Sequence, residues 1–164
     1  MDKIKFSQGV YCDEDTKYGF WTIDISINGC KLLDIVKEVE RENARRMGLE
    51  FGGEYAGIRY TPNIVTGEHF LGRKPYANSS AFVWVLGCTC GFFGCWDIFA
   101  KVEVNETLVQ WSEIFNPWLA NGLPSVWHQK SPEDFLAFDY SSIGPFVFDR
   151  KQYDESLSKL GPAV

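Results

Sequence analysis

The segment Ala81–Ser112, AFVWVLGCTCGFFGCWDIFAKVEVNETLVQWS, restricts the fold more than any other part of the chain. Ala81 to Leu86 is apolar throughout, which suits a strand covered on both faces. From Trp96 to Val104 the even positions are Trp, Ile, Ala, Val and Val, while the odd ones include Asp97, Lys101 and Glu103. That alternation is the mark of a strand with one buried and one partly wet face. Val102 to Thr107 reads as a tight hairpin with Val104 opposite Thr107, Val102 opposite Val109 and Ala100 beneath Trp111. Three consecutive antiparallel strands result, and the first connection carries Cys88, Cys90 and Cys95.

The flanking segments supply cover for this meander. Trp21, Ile23, Ile25 and Ile27 alternate with Thr22, Asp24 and Ser26, a half-buried strand that stops at Asn28-Gly29. Ile4 and Phe6 suggest a short strand before it. The period then changes: Leu32, Ile35, Val36 and Val39 fall at i, i+3, i+4 and i+7, predicting an amphipathic helix over 32–45. Its carboxylates Glu38, Glu40 and Glu42 read as a wet surface. Further strands are expected at 55–60 and 143–148, and an ordered loop with a short strand near Phe70. A C-terminal helix over 150–160 has Asp149 as its cap and Gln152 at capping-box spacing.

The expected fold is therefore a single α+β domain over residues 1–164. One mainly antiparallel sheet centres on 81–112, with two flanking amphipathic helices. A chain of 164 residues with 45% hydrophobic and 16% aromatic side chains has ample material for one core.

Charge and composition exclude several function classes. A net charge of −6 argues against a nucleic-acid partner, which needs clustered Lys and Arg. No apolar run approaches the ~18 residues of a membrane span. The N-terminus MDKIKFSQGVYCDED lacks the apolar core of a secretory signal, so a cytoplasmic, reducing location is expected, with five cysteines as free thiols or metal ligands.

Within Gly87–Trp96, GCTCGFFGCW, the thiols Cys88, Cys90 and Cys95 can supply three ligands to zinc, with Cys12, Cys30, His69 or His128 as candidates for the fourth. The pairs of C-x-x-C knuckles common in structural zinc sites are absent. Read as redox chemistry, the turn lacks a nearby Lys or Arg and has Asp97 beside it. Read as architecture, Gly87, Gly91 and Gly94 build a compact corner whose well-ordered, mostly buried thiols fill space. The architectural reading is the expectation adopted. The glycine spacing matches no phosphate-binding loop. His69 and His128 fall in loops with no serine elbow or orienting partner, so no catalytic residue is assigned. Phe92, Phe93, Trp118 and Trp127 are loop aromatics of the kind that anchor protein interfaces, and the alternative is that they fold back over the core.

The segments INGCKLLDIVKEVE, FLG at 70–72, LGCTCGFFGCW, VQWSEIFNP and GPFVFDRKQYDESL, in this order, resemble a family of small bacterial proteins without an established activity. The resemblance implies a bacterial cytosolic protein and transfers no catalytic residue. The functional expectation is a non-enzymatic binding or protein-interaction domain. The alternative is a zinc-binding or thiol-dependent enzyme built on Cys88, Cys90 and Cys95.

Overall fold

A computed structural model describes residues 1–48, 54–61, 65–73, 82–117, 119–120 and 138–160. Trp118, Trp127 and His128 lie outside these residues.

The chain is α+β with mainly antiparallel strands, as the periodicities predict, but the strands form two sheets rather than one. β1 (Ile4–Cys12) and β2 (Gly19–Ile27) pair along their whole length, with Phe6 opposite Ile25 and Val10 opposite Trp21. β1 is thus much longer than Ile4 and Phe6 suggested. Asn28 (φ 53°) and Gly29 (φ 84°) turn the chain into β3 (Cys30–Lys31), which returns along the other edge of β2. The second sheet has the order β4 (Tyr55–Ala56), β6 (Phe82–Cys88), β7 (Ile98–Val104), β8 (Leu108–Phe115), β9 (Phe146–Asp149). Its centre is the predicted meander.

Gly57 is why one expected strand at 55–60 serves two sheets. β4 pairs with β6, the chain bends at Gly57, and β5 (Ile58–Arg59) pairs with β2. A Cβ at Gly57 would stand 2.2 Å from Asp24 Oδ1 and 2.7 Å from the Ile23 carbonyl, so only glycine allows this crossing.

The hairpin register also departs from expectation, by two residues. Val104 faces Val109 and Val102 faces Trp111. Asn105 causes the shift: its side-chain oxygen accepts the Thr107 and Leu108 N–H groups at 2.9 and 2.8 Å, closing a longer loop. A slip of two leaves every side chain on its predicted face. Residue 113 adds a bulge, with Glu113 at φ 47° and its carboxylate 3.3 Å from Lys101 Nζ. Asp97, expected on a wet face, is buried.

Three helices among the described residues complete the fold. α1 (Leu32–Arg46) buries Leu32, Val36, Glu40, Asn43 and Ala44. Residues 67–70, where a strand was expected near Phe70, form the single helical turn α2 (Gly67–Phe70). α3 (Arg150–Ser158) starts as predicted, with Asp149 Oδ1 accepting the Gln152 N–H at 2.9 Å. The Gln152 side chain does not return to the cap. It bonds the Ile4 N–H and C=O, while Ser156 Oγ accepts the Phe6 N–H at 2.8 Å. One turn apart on α3, these two side chains cover the free edge of β1 at Ile4 and Phe6. Asp2 does the same for β9, accepting the Val147 N–H and donating to its carbonyl, each at 2.8 Å. None of the helices among the described residues is long and apolar enough to cross a membrane.

Side chains from both sheets, α1 and α3 form one continuous core. Phe6, Phe70, Trp111, Phe148 and Tyr153 meet in tilted and edge-to-face contacts at its centre. The Tyr153 hydroxyl accepts from Trp111 Nε1 at 3.1 Å and donates to the Phe70 carbonyl at 2.8 Å. His69 Nε2 lies 2.8 Å from the Trp84 carbonyl in full burial, which lowers its pKa to about 4 despite that bond.

A buried polar knot joins α1 to the second sheet. Glu40, expected in water, is fully buried, and its Oε1 accepts the Tyr55 and Tyr140 hydroxyls at 2.5 and 2.6 Å. Asn116 Nδ2 donates to the Tyr55 oxygen at 2.9 Å. Burial raises the Glu40 pKa above its usual value, against the two phenols, which favour the charged form.

Candidate metal centre

The connection from β6 to β7 is built by hydrogen bonds its sequence makes available. Cys88 is the last residue of β6 and pairs with Tyr55 of β4. The chain then turns at Gly91 (φ 79°), whose N–H bonds the Cys88 carbonyl at 2.9 Å, and again at Gly94 (φ 86°). Asp97 Oδ2 accepts the Gly94 N–H at 2.6 Å and so fixes the second bend. Burial raises Asp97 to about 6, while the Gly94 N–H and the Trp84 indole work the other way. Phe93 points inward, edge-on to Trp84 and Phe99 at 5.1 and 6.1 Å, so it serves the core. Phe92 points outward and is 65% exposed.

This folding brings the three thiols together. The Sγ atoms of Cys88, Cys90 and Cys95 all lie within 4.8 Å of one another. Backbone N–H groups address two of them: Cys90 N–H points to Cys88 Sγ and Phe92 N–H to Cys90 Sγ, each at 3.5 Å. Such N–H···S contacts stabilise thiolates. Contrary to the expectation of mostly buried thiols, Cys88 and Cys90 are half-buried and Cys95 is exposed. The thiols are reachable because Gly91 and Gly94 carry no side chain to cover them and Phe92 is turned outward.

The proton affinities of Cys90 and Cys95 diverge. Burial works to raise the Cys90 thiol, but the Phe92 N–H and the neighbouring Cys88 and Cys95 thiols outweigh it, and its pKa falls below the ordinary value. Hydrogen bonds to Cys88 and Cys90, ahead of burial, push Cys95 up to about 12. Cys90 thus ionises ahead of Cys95, whose proton is held by its hydrogen bonds to the other two sulfurs.

Zinc–thiolate bonds of about 2.3 Å in a tetrahedron place sulfurs about 3.8 Å apart. The observed cluster therefore needs side-chain adjustments of about 1 Å at most to close on such an ion. Of the proposed fourth ligands, Cys12, Cys30 and His69 do not join it, and His128 lies outside the described residues. His69 is buried against Trp84, and no further His, Cys, Asp or Glu among the described residues completes the group. Three sulfurs with an open side facing solvent fit a thiophilic ion that keeps one exchangeable position.

Residues distant in sequence frame the turn. The Tyr18 hydroxyl donates to the Cys90 carbonyl at 3.0 Å. Phe20 packs under Gly91, where a Cβ would approach its ring to 2.9 Å. The Arg59 guanidinium lies over the Phe20 and Phe92 rings, 5.7 and 5.9 Å from their centroids. Nothing in the local pattern of Tyr18, Phe20 or Arg59 signals this role. They arrive only because β2 and β5 pair beside the turn.

Compared with known protein families, with curated proteins and with solved structures, the chain matches none.

Proposed function

We propose that the protein binds a thiophilic divalent cation, zinc foremost, through Cys88, Cys90 and Cys95. The convergence of the three Sγ atoms within 4.8 Å is the observation that supports it. The two N–H···S contacts add to that support, because they favour the thiolate form a metal requires. A reducing compartment keeps such thiols available. When bound, the cation is held by three protein sulfurs and offers a remaining position to an outside ligand, as zinc sites engaged in chemistry or transfer do. Asp97, the carboxylate at this turn, is buried and holds the Gly94 N–H, so binding rather than catalysis is the reading. The outward-facing Phe92 favours a second reading, a protein contact at the same turn.

Cobalt substitution tests the proposal. Reduced, metal-free protein titrated with Co²⁺ should develop thiolate-to-cobalt charge-transfer absorption that saturates at stoichiometry. Cys88→Ser and Cys90→Ser should lose most of it, while Cys12→Ser and Cys30→Ser should keep it. A titration without thiolate bands, or one indifferent to Cys88→Ser and Cys90→Ser, rejects the site.

A further inference from the structure

Among the described residues, α3 covers only the first part of the free edge of β1, as far as Gln8, whose Nε2 donates to the Leu160 carbonyl at 3.2 Å. Gln152 and Ser156 occupy the outward backbone groups of Ile4 and Phe6. Because Ile4 points its N–H and C=O to α3, every second residue of β1 does the same, and the next are Gln8, Val10 and Cys12. Their N–H groups have no hydrogen-bond partner among the described residues. Natural edges are blunted by lysine, proline, a bulge or a covering element. Residues 8–12 are Gln, Gly, Val, Tyr and Cys and contain none of the first two, and the β1–β2 register runs through them without a bulge.

The side chains beside this edge are equally unusual. Val10 and Trp21, paired across the two strands, are 60% and 64% exposed. They extend the core face of the hairpin beyond the core. Gln8, Trp21, Thr22 and Tyr60 line an open pocket of about 220 Å³ there. At the end of the edge stand Asp13, Glu14 and Asp15, which form no ion pair with any Lys or Arg among the described residues.

We infer that β1 is a strand-addition site that takes an extended, basic-ended segment of another protein. The segment runs antiparallel to residues 8–12 and exchanges main-chain hydrogen bonds with Gln8, Val10 and Cys12. Its residue facing Val10 is apolar and shares the Val10–Trp21 face, where a neighbouring side chain reaches the pocket that Gln8 lines. Its N-terminal end passes the acidic turn, and there Lys or Arg meets Asp13–Asp15. A second copy of this chain fits less well, since five residues of edge bury far less than the ~1,600 Å² of a standard stable interface.

The test uses full-length ¹⁵N-labelled protein and the peptide acetyl-Lys-Lys-Thr-Val-Thr-Val-Thr-amide. Saturable shifts at the Gln8, Val10 and Cys12 amides, with a dissociation constant on the order of 10–100 µM, are expected for so short a strand. A peptide with Glu-Glu in place of Lys-Lys should bind at least ~5-fold more weakly, as like charge replaces attraction. Val10→Pro removes an outward donor without touching the β1–β2 ladder and should weaken binding at least ~10-fold. Trp21→Ala, at an exposed position, should also weaken it and serves if the proline variant fails to fold. Shifts located elsewhere, or unchanged affinity in the folded variants, overturn the inference. So does concentration-dependent self-association abolished by Val10→Pro, which would make the occupant a second copy.

Discussion

Replacing Glu40 by alanine should destabilise the fold at neutral pH by about 3 kcal/mol, because two buried phenols lose their acceptor at a cost of ~1–3 kcal/mol each. Two effects shift that sum in opposite directions. The variant leaves a cavity where the side chain was, and it also removes a buried carboxylate whose raised pKa marks its charge as costly. Glu40→Gln separates the terms: it keeps an oxygen for Tyr55 and Tyr140 and removes the charge, so its cost should be about 1 kcal/mol. Urea unfolding at pH 7, followed by tryptophan fluorescence and circular dichroism, measures both. The pH dependence gives a second reading. Because the folded pKa is raised, Glu40 favours the folded state fully below its unfolded value near 4.5 and loses that contribution as pH rises through the folded value. Glu40→Gln lacks this loss, so its deficit relative to the wild type should shrink between pH 4 and 7. Alanine and glutamine variants equal to each other and within ~0.5 kcal/mol of the wild type would refute the knot as a structural lock.

His69 should produce the opposite slope. Its pKa falls to about 4 on burial, so its contribution is complete above the unfolded value near 6.5 and is lost as pH drops toward 4; His69→Gln should flatten that acid limb in pH-dependent urea melts. Tyr153→Phe leaves Trp111 Nε1 and the Phe70 carbonyl without their shared hydroxyl and should cost about 2 kcal/mol, read as a lower urea midpoint with an unchanged slope. Gly57→Ala places a Cβ 2.2 Å from Asp24 Oδ1 and 2.7 Å from a backbone oxygen and should cost at least ~2 kcal/mol, whereas Gly29→Ser, with open space but a φ of 84° that disfavours any side chain, should cost about 1 kcal/mol.

What could be read from the sequence follows the range over which each interaction acts. The meander, the 19–27 strand and both long helices rest on local periodicity, and they fold where the pattern places them. The split into two sheets depends on Gly57 crossing beside Asp24, a contact between residues 33 apart that no local window contains. The two-residue shift of the β7–β8 hairpin comes from one side-chain oxygen, Asn105 Oδ1, closing a longer loop than the apolar pattern required. Glu40 was legible in principle. Leu32, Val36, Glu40 and Ala44 follow one another at i+4, so the helix itself carries the carboxylate into the core. The alternation of Glu38, Glu40 and Glu42 hid it by suggesting a solvated face.

At the cysteine turn the spacing identified the three residues but not their arrangement. The glycines permit the bends, and Asp97, buried and bonded to the Gly94 N–H, holds the one that gathers the sulfurs. Phe92 and Phe93, adjacent and alike in sequence, part company there: one faces solvent over Arg59 and the other packs on Trp84. Backbone direction at two positive-φ glycines decides this, and side-chain type carries no record of it.

The metal content of the protein, purified without added metal and kept reduced, bears most directly on the central claim. Elemental analysis should find stoichiometric zinc or another thiophilic ion in the wild type. A variant with Cys88, Cys90 and Cys95 all changed to serine should fold and carry none. A reduced, correctly folded wild type that holds no metal and takes up none from equimolar zinc would contradict the account.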